Sequence, residues 1–111
     1  MGLVDHMTAT LRDAMKVRDR VAVSALRTAL AAVANAGAAP IDSAPSEVQG
    51  RLVEHARVEL SESEIAAIVG KQIDDRRHTI TQLEGRGQHD EVARLGGEVA
   101  VLSSVLDGRD L

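Results

Sequence analysis

Arg20, Ser24 and Arg27 are spaced four and three residues apart, which puts two guanidiniums and a hydroxyl on one face of a helix. Lys16 and Arg18 lie just before them. From Arg12 to Arg27 five cations stand against two anions, Asp13 and Asp19, a local charge of +3 in a chain whose net charge is −4. Cations gathered at the free amides of a helix start attract phosphate. The same pattern also describes a polar rim neutralised by Asp13, Asp19 and other carboxylates, and periodicity alone does not separate the two.

Other chemistry is sparse. A covalent nucleophile needs a base within reach and donors for the developing charge, yet there is no cysteine and no G-x-S-x-G. His6, His55, His78 and His89 are scattered without metal-ligand spacing. Asp74 and His78, four apart, read as a surface pair or half of a metal site. Asp74 and Asp75 are adjacent, so they diverge on a helix and cannot work as an acid–base couple. The glycines of "EGRGQHD", Glu84 to Asp90, lack the Gly-Lys-Ser/Thr of a phosphate loop and follow a helix pattern, so they mark a turn. Arg76 falls on an apolar seam between Ile73 and Ile80. It reads as a half-buried ion pair with its stem against aliphatics, or as a ligand-binding group. No catalytic residue, metal site or cofactor site follows from these residues.

Composition narrows the field further. The chain has 111 residues, enough for a single domain with one core. Without cysteine there is no disulfide or zinc–thiolate framework. No apolar run approaches the roughly 20 residues of a membrane span. The N-terminal residues lack the cationic start and apolar block of a secretory signal, so the expectation is a soluble cytoplasmic protein. With no Phe, Tyr or Trp, the core must come from Leu, Val, Ile, Met and alanine, which suits closely packed helices. It also removes the aromatic platforms on which single-stranded nucleic acids stack.

The elements that would position these residues are helices, giving an all-α bundle of four to five. Leu3, Met7, Leu11 and Met15 predict a first helix over Leu3 to Val17. Asp19 is the expected N-cap of a second, with Val23, Leu26, Leu30 and Val33 inward and Gly37 and Pro40 ending it. Residues 37–46 read as a loop. Ser46 is expected to cap a short helix to about Arg57, with Val48, Leu52 and Ala56 inward. Ser61 and Glu64 form a capping box ahead of Ile65, Ile68, Val69, Ile73, Ile80 and Leu83. Gly85 and Gly87 break that helix. The last begins near Asp90 and carries Val92, Leu95, Val99, Leu102 and Leu106. Gly96-Gly97 inside it either admits a close helix or marks a kink.

Leu11, Ala14-Met15-Lys16, Arg18-Asp19, Ser24-Ala25-Leu26-Arg27, Ala31-Ala32 and Asn35-Ala36 together closely resemble the opening block of the GatB/YqeY family. "ELSESEI" (Glu59 to Ile65), Arg76-Arg77 with Ile80, Gly85-Arg86 and "EVAVLSSVL" (Glu98 to Leu106) resemble its later blocks in order. The likeness covers about residues 11–106 and is to the family's N-terminal helical subdomain alone. The segment from about Ala38 to Val58 looks longer than usual. Val105 and Asp107 stand where the last block usually has an aromatic residue and a proline. The resemblance implies a non-catalytic module similar to the tail domain of the aspartyl/glutamyl-tRNA amidotransferase, which helps to hold tRNA; any amidotransferase activity would be inherited by name only. On that expectation Lys16, Arg18, Arg20 and Arg27 meet phosphates, joined by Arg76, Arg77 and Arg86. The alternative is an adaptor that binds a protein partner or a second copy of itself through small-residue helix faces.

Overall fold

The computed structural model describes residues 2–38 and 59–108, and the short helix expected over 46–57 lies outside them. Among the described residues there are four helices: α1 (Leu3–Lys16), α2 (Arg20–Ala36), α3 (Glu62–Glu84) and α4 (His89–Gly108). The fold is an all-α bundle built from two helical hairpins. No helix among the described residues is long and apolar enough to cross a membrane.

Local signals account for the helix ends. The Asp19 carboxylate accepts from the Ala22 amide at 3.1 Å and caps α2. At α3 the capping box is complete: the Ser61 hydroxyl accepts from the Glu64 amide at 3.1 Å, and Glu64 accepts from the Ser61 amide at 2.7 Å. Helix α1 begins at Gly2, which has no side chain to offer as a cap. Its cap comes from elsewhere, because the Leu3 amide donates to Oε1 of Glu62, in the first turn of α3, at 2.9 Å.

The core joins all four helices. Leu3, Met7 and Ala14 come from α1, and Ala22, Ala25, Leu26, Ala29 and Val33 from α2. Helix α3 adds Ile65, Val69 and Ile73, and α4 adds Leu102 and Val105. Three of the five α2 residues are alanines, which let that helix approach its neighbours closely. Gly97 serves the same end from α4: a Cβ there would stand 3.1 Å from Cγ1 of Val21. Gly97 therefore admits α2 closely, while Gly96 beside it faces open space.

Met15 departs from the expected stripe, being 49% exposed while Ala14 is buried in its place. Four residues on a helix turn about 400°, so an every-fourth stripe drifts by about 40° per step. By its fourth member it has left the core face.

Candidate functional site

The joint between α1 and α2 is a Schellman turn. The Arg18 amide donates to the Met15 carbonyl, and the Asp19 amide reaches back to the Ala14 carbonyl at 2.9 Å. The turn needs a left-handed residue at its C′ position, which glycine usually supplies. Here it is Arg18, with φ 58°, the only non-glycine residue with positive φ among the described residues. An L side chain in that conformation costs roughly 1–2 kcal/mol. Such outliers gather at functional sites.

This turn carries Arg18 to the same place as the residues of α2. Arg18, Arg20 and Arg27 line one open groove of about 620 Å³ with Ser24, Thr28, Met15 and Val23. The three arginines are exposed, and none makes an ion pair among the described residues. The groove combines guanidinium donors with an aliphatic floor, and the Thr28 hydroxyl donates to the Ser24 carbonyl at 2.8 Å. Val17, next to Arg18 in sequence, is 74% exposed. Guanidinium donors form charge-assisted hydrogen bonds with anions.

The other candidate cations lie elsewhere. Lys16 is exposed in the last turn of α1 but does not line the groove. Arg86 is exposed in the turn between α3 and α4. Arg77 lines a separate concavity with Asp74 and Asp107. Arg76 points inward: its Nε donates to Oε1 of Glu98 at 2.7 Å, and its Nη1 donates to the Gln72 carbonyl and to Gln72 Oε1, both at 3.0 Å. With Nε and Nη1 committed to Glu98 and Gln72 and its side chain largely buried, Arg76 lies apart from the open groove.

Glu98, which spacing within one helix does not single out, is the buried partner. It lies on the α4 seam between Leu95 and Leu102, as Arg76 lies on the α3 seam between Ile73 and Ile80. Its other oxygen accepts from Arg94 Nη1 at 2.6 Å. Arg94 in turn grips Glu91 through Nε, at 3.0 Å, and through Nη2. The hydrogen bond from Arg94 holds the Glu91 carboxyl below its ordinary range, and Glu91 raises Arg94 in return. Opposite charges interrupting two facing seams are the signal that marks Glu98.

Among the described residues no three His, Asp or Glu side chains converge as metal ligands would. Comparison with family models, curated proteins and solved structures finds no match.

Proposed function

We propose that this chain is a non-catalytic RNA-binding module of GatB/YqeY type, which holds the phosphate backbone of tRNA or a tRNA-like stem in the groove between α1 and α2. The observation that carries this reading is that Arg18, Arg20 and Arg27 share one open groove without a carboxylate partner among the described residues. Three guanidiniums suit phosphate oxygens, and the absence of aromatic residues leaves backbone and shape as the means of recognition. Lys16, just before the turn in sequence, adds attraction without lining the groove. The resemblance of Leu11 to Ala36 to the family's opening block points to the same ligand.

The test is tRNA binding followed against salt. Three phosphate contacts give a slope of about 2 to 3 log units of affinity per log unit of salt. The Arg20→Ala, Arg27→Ala double variant loses affinity and most of that slope while keeping its helical signal. If tRNA is not retained at low salt, the reading fails.

A second reading is favoured by the half-exposed Met15 in the groove and the exposed Val17 next to Arg18 in sequence: an acidic protein segment could cover both the cations and this apolar surface. That reading gains if a protein partner competes with RNA for the groove and still binds after nuclease treatment.

A further inference from the structure

We propose that the open groove between α3 and α4 is where two copies of this chain meet. Gly70, Ile73, Asp74 and Arg77 of α3 line it, with Ser103, Leu106 and Asp107 of α4, around a space of about 290 Å³. It is separate from the three-arginine groove, so dimerisation and RNA binding can fail independently of each other.

Gly70 lies within a 23-residue helix, where glycine costs about 1 kcal/mol relative to alanine. Gly97 has a partner inside the molecule in Val21, whereas a Cβ on Gly70 would meet nothing within 4 Å. Among the described residues, the missing side chain does nothing for the packing of this chain on itself. It leaves the α3 backbone open to approach from outside, beside the half-buried Leu106 and Ser103.

Charge selects the occupant. Arg77 shares the concavity with Asp74 and Asp107, yet pairs with neither among the described residues. A patch holding both signs is complementary to itself under a two-fold axis: Arg77 of each copy meets Asp74 and Asp107 of the other. A partner of one charge sign would leave part of the patch unmatched. The available area fits a modest association. Two helices about 30 Å long and about 10 Å across present a face of about 600 Å². Two copies would then bury about 1,200 Å², the lower bound for specific complexes.

Sedimentation or light scattering over a dilution series reads the outcome. The wild-type chain is expected at twice the chain mass when concentrated, falling to the chain mass on dilution. Gly70→Lys places a long cation in the groove from a position where a Cβ meets no described atom within 4 Å. That variant should keep its helical signal and lose the twofold increase in mass. Arg77→Asp should also be monomeric, and mixing it with the Asp74→Arg, Asp107→Arg variant should restore a mixed dimer. A wild-type chain that stays monomeric to its solubility limit overturns the proposal. So does a Gly70→Lys variant that dimerises as the wild type does.

Discussion

At the turn between α1 and α2, three arginines surround an open groove with no carboxylate partner among the described residues. Along α3 and α4, Arg76 and Arg94 share Glu98, and Arg94 also holds Glu91. For Arg76 and Glu98 the difference follows from burial; Arg94 is itself exposed and reaches in to Glu98. A guanidinium on an apolar seam must carry its own counter-charge, since an unpaired buried charge costs more than most single contacts contribute. A guanidinium in water has no such requirement, so its donors stay available. Arg76 is therefore tied across the α3–α4 seam to Glu98, while the arginines of the first joint have no carboxylate partner among the described residues. Arg18 sharpens the contrast, because its backbone conformation is one that glycine would adopt at lower cost.

Glu98 is where the contrast is most vulnerable to experiment. Replacing it with alanine strands Arg76 on the seam and should lower stability by about 3–5 kcal/mol, read by denaturant unfolding. Exchanging Glu98 and Arg76 together for leucine and methionine should recover most of that loss. A small effect from Glu98→Ala would mean that the seam is wetter than its burial indicates. At the other joint the sign reverses: Arg18→Gly should raise stability by about 1 kcal/mol, by relieving the left-handed arginine, while weakening tRNA binding. A variant that loses stability would remove the case that Arg18 is kept for its side chain. The smallest effect is at Glu91. Its folded carboxyl titrates below the ordinary value of 4.5, so its contribution is complete above that value and disappears as pH falls through the lowered one. Melting temperatures of the wild type and Glu91→Gln should therefore differ at neutral pH and converge in acid.

Much of the helical framework is legible in the sequence, because caps and apolar spacing are local. Asp19, Ser61 with Glu64, and the seam of Ile65, Val69 and Ile73 fix helix starts and inward faces without tertiary information. The site is legible only in part. Helical spacing alone groups Arg20, Ser24 and Arg27. Arg18 joins them through a left-handed turn that no glycine announces. Met15 looks like core because an every-fourth pattern hides its angular drift. Arg76 stands out as a charge on a seam, but its partner becomes visible only when α3 and α4 are set in register, which brings Glu98 opposite. The fate of Arg77, Arg86 and Lys16 depends on which way each helix faces, and spacing within one helix does not report that.

The Glu62 cap on α1 has a consequence for how the chain folds. The first helix borrows its N-terminal acceptor from a residue 59 positions later, so it lacks that stabilisation until the second hairpin has docked. Short helices are marginal on their own. Closure of this long-range contact should therefore tie both hairpins into one cooperative transition, with α1 consolidating late. In a kinetic analysis, Glu62→Ala, which removes the acceptor, should speed unfolding more than it slows folding.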